Sequence, residues 1–432
     1  MPDVGLLTPG ADLAPGSPAA VTDDVAVLRA MLAAEAAWVR AQARCAVVPA
    51  AVVPVVDRAV VALAADDGAA LALATEVARD AAGGGNPVIP LLARLRAAVE
   101  SGCGPAVAAG VPVADVVGAV HAGLTSQDVL DTALVLVLRD AGRAADAGLG
   151  RAVAAAEGLA RRYRDLPALG RTLTQPAVPT TLGARCAGWL QAVAEGRARL
   201  DDATRALPLS YGGAAGTLAG TAALTAPGED AAARGPLPLV DAWAAELGLP
   251  VTAGPWHVTR FPVVRVATAL AEVSAALGTV AADVLVGARA EVGELREPAA
   301  PGRGASSAMS HKRNPVLSVL VRRSALAAPP LAAQVLASAG QAVDERPDGA
   351  WHAEWPALQQ LARHAVGAAH SAAELLEGIE VDEEAVARNL REQLGVGPYS
   401  SDDVVGTGVA ATLVDRVLAR YAPAGSHEAG DR

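Results

Sequence analysis

The feature that most constrains this chain is a series of long segments in which apolar residues recur at helical spacing. They cover roughly 181–207, 262–292, 315–343 and 352–376, and a further pattern runs from 125 to about 163. Apolar side chains that recur every three or four residues form one face of an α-helix. Several of these segments are much longer than the mean helix of about 11–12 residues. No convincing run of alternating strand residues lies between them. The pattern predicts an all-α fold with a long central helical bundle.

The composition suits close packing of such helices. Hydrophobic residues make up 52% of the chain but aromatic residues only 3%, so Ala, Leu and Val supply the apolar surface. A length of 432 residues allows two or three domains. We predict an N-terminal helical domain over 1–110, the central bundle over 111–350 and a short C-terminal helical domain over 351–432. The first helix is predicted from about Asp23 to Cys45, with Thr22 as its N-cap.

Charge and cysteine content argue against several classes of protein. The formal net charge of -11 disfavours a broad surface for nucleic acid or anionic membranes. The three cysteines are far apart and form no CxxC pair, so we expect neither a disulfide framework nor a metal site. The N-terminus lacks a basic region followed by an apolar stretch, and the longest uncharged stretch, 206–228, is broken by Pro and Gly. We therefore expect a soluble cytoplasmic protein.

One segment concentrates residues that carry chemistry: Gly302-Arg-Gly-Ala-Ser-Ser-Ala-Met-Ser-His-Lys-Arg-Asn-Pro315. It contains Lys312, the single lysine of the chain, and Asn314, one of three asparagines. Its closing proline suits the first turn of the next helix, whose N-terminal amides favour an anion. A Gly/Ser loop alone is most simply a mobile polar surface loop. The rare residues gathered within it favour a functional loop instead.

This segment closely resembles the loop of the fumarase/aspartase superfamily that is written G-S-S-x-M-P-x-K-x-N-P. The resemblance implies that Ser306 transfers the proton at a carbon beside a carboxylate. Lys312 and Asn314 would then stabilise the dianionic aci-carboxylate, and Ser307 and Met309 would contact the substrate. A serine hydroxyl is a poor base unless its oxyanion is stabilised, so a cation and oriented amides must supply that stabilisation.

A second segment, His121-Ala-Gly-Leu-Thr-Ser-Gln-Asp-Val-Leu-Asp-Thr132, stands at a predicted helix start. Its hydroxyls and amides suit a carboxylate there, although alone it would be an ordinary helix cap. It is similar to the H-x-G-x-T-S-Q-D-x-x-D-T stretch of adenylosuccinate lyases and 3-carboxy-cis,cis-muconate cycloisomerases. That resemblance gives substrate-binding roles to Thr125, Ser126 and Gln127, and a supporting one to His121.

A third segment runs from Gly170 to Gly183 and resembles the superfamily pattern G-R-T-x-x-Q-x-A-x-P-x-T-x-G. Many members place a histidine here as an acid/base or orienting residue. This chain has Leu173, Thr174 and Pro176 across the candidate positions, so that role is not carried over. Gln175 is predicted as a polar contact to the substrate.

Further stretches resemble the muconate cycloisomerase branch, among them Asn86–Leu91, Pro255–His257 and Gly349-Ala-Trp-His-Ala-Glu-Trp355. They add Asn86 and Arg260 to the predicted substrate-binding residues. The implied reaction is the cyclisation of 3-carboxy-cis,cis-muconate to 4-carboxymuconolactone, with a small polycarboxylate substrate and no cofactor. The superfamily also implies a homotetramer whose subunits share each site, and neither nucleic acid nor membrane is an expected partner.

Three departures from the pattern leave alternatives open. Phe261-Pro262 follows Arg260 where cycloisomerases carry an R-D-R element, Ala305 replaces the usual Gly, and Ser310 replaces a Pro that would fix φ. They motivate a C–N lyase that releases fumarate from a substituted succinate, similar to adenylosuccinate or nitrosuccinate lyase. An inactive structural relative is a third hypothesis, and the intact serine, lysine and asparagine of the loop argue against it.

Overall fold

The computed structural model describes residues 3–225, 235–306, 308–309, 312–394 and 406–422. In chain order its α-helices are α1 (Asp24–Arg44), α2 (Val53–Leu63), α3 (Asp67–Asp80), α4 (Val88–Gly102), α5 (Gly104–Ala108), α6 (Val113–Gly118), α7 (Ser126–Arg162), α8 (Leu182–Arg205), α9 (Ala219–Ala222), α10 (Pro236–Leu247), α11 (Phe261–Gly287), α12 (Val316–Ala339), α13 (Gly349–Gly378), α14 (Glu383–Leu394) and α15 (Ala410–Tyr421). Short 3-10 turns occupy Pro18–Thr22, Ala50–Val52 and Ala81–Gly83.

The five longest segments of the sequence pattern form one bundle, made of α7, α8, α11, α12 and α13. The predicted all-α fold is therefore confirmed. Small residues let the helices approach closely: a Cβ added at Gly148 of α7 would lie 2.8 Å from the backbone of Ala369 in α13. One added at Gly278 of α11 would lie 2.4 Å from Ala325 of α12. Helices whose axes lie this close together have room only for small side chains such as Ala and Gly at the contact. The scarcity of aromatic residues therefore suits this packing.

Helix α1 packs on α7 and α10 and joins the N-terminal helices to the bundle. Its Trp38 meets Trp243 edge to face, with ring centroids 5.2 Å apart. The predicted N-cap is wrong by one residue. Asp23 caps α1 by accepting a hydrogen bond from the backbone N–H of Ala26 at 2.7 Å. Thr22 donates instead to the carbonyl of Ala19 within the preceding 3-10 turn.

Two short ladders accompany the helices. Strands β1 (Pro167–Thr172) and β2 (Gln175–Thr181) form an antiparallel hairpin, and β3 (Leu295–Arg296) pairs with β4 (Glu380–Val381). The sequence showed no alternating run in these positions, so the hairpin was not anticipated. Its two-residue turn, Leu173 and Thr174, has φ of 50° and 70°, as the tight turns that join twisted strands require.

The predicted boundary between the bundle and the C-terminal domain, at 350/351, falls at the start of α13. That helix packs against both α7 and α12, and the buried Trp351 and Glu354 near its start are bonded to α7 and to the residue before α11. The first turns of α13 thus contact the bundle directly, and the division into three domains stays a prediction.

Two bundle helices, α11 and α12, are long and apolar enough to cross a membrane by length and composition alone. Half of the most apolar window of α11 is buried within the chain, as expected for a core helix, but only 28% of that of α12. The exposed face of α12 carries Val319, Leu326 and Leu336. One chain thus leaves a long apolar surface open along this helix, which is the kind of patch that marks an interaction surface.

Candidate active site

The loop of residues 302–315 lies between β3 and α12 and is closed at its base. Ala305 and Arg313 form an antiparallel bridge, and the backbone N–H of Asn314 donates to the carbonyl of Gly304 at 2.9 Å. Gly304 has φ of 69°, and an added Cβ would lie 2.7 Å from the carbonyl oxygen of Asn314. Glycine is therefore required here so that the two arms of the loop can meet.

Ser306 is half-buried inside this loop. Its Oγ accepts hydrogen bonds from the backbone N–H groups of Ala308 at 3.3 Å and Met309 at 3.1 Å. Two amides aimed at one hydroxyl oxygen are suited to stabilise negative charge on it. The arrangement supports the predicted proton-transfer role of Ser306, since an alkoxide needs such donors.

The other predicted residues of the loop are placed around that serine. Lys312 is exposed, and its backbone N–H donates to the carbonyl of Met309. The Asn314 side chain donates to Gly304 at 3.3 Å, and Met309 is largely exposed. Ser307 lies outside the described residues. The exposure of Lys312 leaves its charge available to a ligand that reaches the loop from outside this chain.

The sequence suggested that the N-terminus of α12 binds an external anion. In the structure a carboxylate of the chain itself takes that place. The carboxylate of Glu297 accepts from the backbone N–H groups of Leu317 at 2.9 Å and Ser318 at 2.7 Å. An internal carboxylate therefore satisfies the exposed amides at the positive end of this helix. The amides of Leu317 and Ser318 are therefore not free to bind a substrate anion, and among the charged groups of the loop Lys312 is exposed.

Thr125 and Ser126 stand at the start of α7, as predicted. The backbone N–H of Thr125 donates to Oδ2 of Asp128 at 2.8 Å, which is the reciprocal contact of a capping box. Ser126 is the half-buried first residue of the helix. The polar side chains at this helix end lie where amides and the helix dipole favour a carboxylate.

Arg346 joins this helix end, and sequence analysis missed it. Its Nη2 donates to Oγ1 of Thr125 and to the carbonyl of Ala214, the latter at 3.1 Å. No other hydrogen bond of this guanidinium is found within the described residues. Its Nε and Nη1 therefore keep N–H groups that can each donate a charge-assisted hydrogen bond to a carboxylate. The signal was available, since Arg346 lies just ahead of the Gly349–Trp355 stretch.

Arg260, predicted to bind the substrate, is fully buried instead. It bonds to Asp131 at 2.7 and 3.0 Å and to Glu354 at 2.8 to 3.2 Å. Trp351 donates its indole N–H to Asp131 at 2.9 Å. Burial raises the pKa of Glu354. With every guanidinium nitrogen engaged by these two carboxylates, direct contact between Arg260 and a substrate is excluded in this conformation; Arg260 ties the starts of α7, α11 and α13 together.

Gln127 is also buried, and its amide N–H₂ donates to Asp131 at 3.1 Å and to the carbonyl of His257 at 3.0 Å. Beside it, Nε2 of His257 lies 2.8 Å from Asp128, which also accepts from the backbone of Gly213. This layer fixes the first turn of α7 from beneath. A direct substrate contact of Gln127 remains a prediction, while the observed role of its amide is to hold this layer together.

The remaining predicted residues are spread over three places. Asn86 is nearly buried and caps the start of α4, accepting from Val88 at 3.1 Å. His121 precedes α7 and its Nδ1 lies 2.7 Å from Oε1 of Glu35 in α1. Gln175 is exposed beside the turn of the hairpin. No described cluster of three or more His, Cys, Asp or Glu side chains could hold a metal ion.

One chain does not bring the predicted groups together. The loop and the β1–β2 hairpin are at one end of the bundle, since Arg171 of the hairpin bonds to Glu294 next to β3 at 2.7 and 3.1 Å. Thr125, Arg346 and His121 are at the other end. The first end supplies a stabilised hydroxyl and a lysine, and the second supplies carboxylate-binding donors. Proton transfer beside a carboxylate requires both.

The chain is similar to known proteins over most of its length. A family described as Lyase matches residues 22–328. The chain is similar to a nitrosuccinate lyase from Streptomyces davaonensis, with 45% identity over 436 residues that cover 100% of this chain and 85% of the relative. It is also similar to a 3-carboxy-cis,cis-muconate cycloisomerase from Pseudomonas aeruginosa, with 42% identity over 372 residues, 86% of this chain and 75% of that one.

Among solved structures, the 3-carboxy-cis,cis-muconate lactonizing enzyme from Pseudomonas putida matches with a TM-score of 0.76 at 33% identity, covering 95% of this chain and 86% of that one. The shared architecture includes the helical bundle that carries both groups of residues described above.

Proposed function

This chain belongs to the lyase family of the fumarase/aspartase superfamily, and on that premise we propose that it cyclises 3-carboxy-cis,cis-muconate to 4-carboxymuconolactone. The observation that carries the proposal is Ser306, whose Oγ accepts from two backbone amides in a loop that also presents Lys312. Relatives with this activity are 35–42% identical over most of the chain.

In the proposed cyclisation, a carboxylate oxygen of the substrate forms a C–O bond to a carbon of the conjugated diene. The electron pair of the broken π bond moves to the carbon beside another carboxylate. Lys312 and Asn314 stabilise the resulting aci-carboxylate. Ser306 then gives its proton to that carbon, and the alkoxide left behind is stabilised by the amides of Ala308 and Met309 until it takes a proton from water.

A second candidate is the elimination of nitrite from nitrosuccinate to give fumarate. It is favoured by the 45% identity to a nitrosuccinate lyase over the whole chain and by Phe261-Pro262 at the start of α11. Here Ser306, as an alkoxide stabilised by the amides of Ala308 and Met309, takes the proton beside a carboxylate. The electron pair of that C–H bond forms the double bond of fumarate, the C–N bond breaks, and nitrite leaves with the C–N electron pair. Nitrite, like the carboxylate released by reverse cyclisation, is a weakly basic anion that needs no proton on departure. Neither anion needs a general acid to protonate it, so both reactions are compatible with a hairpin turn that carries no histidine.

We also propose that the active unit is a homotetramer in the cytoplasm, with each site built by more than one subunit. The separation of Ser306 from Thr125 along the bundle and the exposed apolar face of α12 support shared sites. Burying this face between copies would remove apolar surface from water. Light scattering on the purified protein tests the assembly, and a monomer with full activity would contradict it.

To decide between the two reactions, the same enzyme preparation is assayed with each substrate separately. Cyclisation breaks the conjugation of carboxymuconate, so its ultraviolet absorbance falls, whereas nitrosuccinate elimination releases nitrite and fumarate. We expect the larger kcat/KM with carboxymuconate. A larger kcat/KM with nitrosuccinate would replace the first proposal by the second, and no turnover of either at high enzyme concentration would overturn both.

A further inference from the structure

His121 occupies a strained backbone position immediately before α7. Its φ is 63°, in the left-handed region that residues other than glycine seldom adopt. Its Nδ1 lies 2.7 Å from Oε1 of Glu35, and the imidazole is 12% exposed. Such strain persists where the surroundings impose it, and it is frequent at functional sites. The local conformation therefore directs this ring toward one particular partner in α1.

His121 lies in a second loop, residues 119–124, which leads into α7. This loop does not need Glu35 in order to be anchored to α1. Two neutral side chains of the same helix already hold the loop: Gln42 donates to the carbonyl of Ala119 at 2.8 Å, and Trp38 donates to the carbonyl of Ala122 at 2.9 Å. Both contacts flank His121 in the chain. The third contact, from Glu35, differs because it brings a carboxylate.

That carboxylate is 1% exposed, and its Oε2 has no hydrogen-bond partner within the described residues. Burying an ionised carboxylate is unfavourable unless a cation or several donors compensate it. The one hydrogen bond found for the Glu35 side chain in this part of the structure is to the His121 ring. A loop anchor alone would be better served by a neutral residue, so Glu35 acts on the imidazole itself.

We propose that Glu35 is a positioning residue for His121, and this inference rests on the proposed function. Glu35 accepts the Nδ1 proton and so sets the tautomer and orientation of the ring, as carboxylates do for imidazoles elsewhere. Nε2, on the other side of the ring, is then the atom that meets a carboxylate of the substrate. Together with Arg346 at Thr125, the pair makes this end of the bundle the carboxylate-binding half of the site.

The test compares four variants with the wild-type protein: Glu35→Gln, His121→Asn, the double variant, and Gln42→Met as a matched control. Gln42→Met removes a loop anchor from the same helix without touching the ring. We expect Glu35→Gln to raise KM roughly ten- to hundredfold, the effect of losing a hydrogen bond to a charged group, with a smaller change in kcat. The double variant should be no worse than His121→Asn, since Glu35 acts through that ring. Gln42→Met should lower thermal stability and leave KM unchanged.

Two outcomes would overturn the inference. Additive losses in the double variant would show that Glu35 does not act through His121, and an equal rise of KM in Gln42→Met would reduce Glu35 to a loop anchor. Calorimetric titration with fumarate gives a readout without turnover, and Glu35→Gln should weaken its binding by the same factor as KM. If neither candidate substrate turns over but fumarate binding depends on Glu35 in this way, only the proposed function fails. If the wild type turns over substrate and Glu35→Gln binds it equally well, only this inference fails.

Discussion

Ser306 and Thr125 lie at opposite ends of helix α12. Ser306 is in the loop that leads into Val316, and Thr125 is bonded to Arg346, which follows the end of the helix at Ala339. A helix of 24 residues is about 36 Å long at 1.5 Å per residue. No substrate of a few carbon atoms spans that distance. The proposed chemistry, which needs both residues at one substrate, therefore calls for the site shared between chains that we propose.

Mixing two inactive variants should restore activity. We expect Ser306→Ala and Thr125→Ala each to be inactive, and hybrid tetramers made by joint denaturation and refolding to regain turnover. In a hybrid, an intact loop from one chain can face an intact α7 start from another. Each variant refolded alone is the control. Hybrids that remain inactive would indicate that each site is built within one chain.

Ser306→Ala should lower kcat by about three orders of magnitude, in the range expected for loss of a proton-transfer group. Folding should be unaffected, because among the described residues Oγ bonds only to the amides of Ala308 and Met309 in the exposed part of the loop. Ser101→Ala, a serine exposed on α4, is the matched control with unchanged kcat. Thermal denaturation run in parallel separates catalysis from folding. Retained activity in Ser306→Ala would show that Ser306 is not the proton-transfer residue.

Arg346→Met should raise KM by roughly tenfold or more, since a hydrogen bond to a charged group contributes about 1.5–3 kcal/mol. The substitution removes the donor that holds Thr125 Oγ1 and the remaining N–H groups of the guanidinium that would donate to a carboxylate. Arg143→Met is the control, because Arg143 is exposed on α7 and paired with Asp140. Steady-state kinetics on both variants gives the comparison. An unchanged KM in Arg346→Met would remove this residue from the site.

The sequence carried most of the fold because its information is local. Helical spacing located α7, α8 and α11 to α13, and the concentration of rare residues located the loop around Lys312. The β1–β2 hairpin escaped because its strands contain prolines and show no alternation. The helices and the loop could thus be predicted without knowledge of any distant contact, whereas the hairpin could not.

The site was only partly accessible from sequence because its contacts are distant in the chain. Arg346 and Thr125 are separated by 221 positions, and Glu35 and His121 by 86. Neither pairing has a local pattern that predicts it. Arg260 shows the opposite case: a recognisable position whose side chain is enclosed by Asp131 and Glu354, which composition and spacing do not reveal.

Glu354→Ala should lower the free energy of unfolding by about 3–5 kcal/mol, because it removes one partner of a buried ion network and leaves the Arg260 guanidinium incompletely paired. The control is Glu377→Ala, which breaks the exposed pair with Arg151 and should cost about 1 kcal/mol or less. Urea denaturation followed by circular dichroism measures both. Equal losses in the two variants would contradict the structural role given to the buried network.

The free energy of unfolding should decrease at acid pH because of His364, a residue of α13 that packs against α12. Burial, with Arg323 and Arg363 nearby, lowers the pKa of His364 to about 4, whereas an unfolded histidine has a pKa of about 6.5. Between these values the unfolded ring binds a proton that the folded ring does not, so stability decreases as pH falls from 6.5 to 4. The full shift corresponds to about 3 kcal/mol. Replacing His364 by Gln removes this titration, so urea denaturation at pH 7 and pH 5 should show a smaller loss in the variant. Parallel pH profiles for variant and wild type would show that another group causes the acid sensitivity.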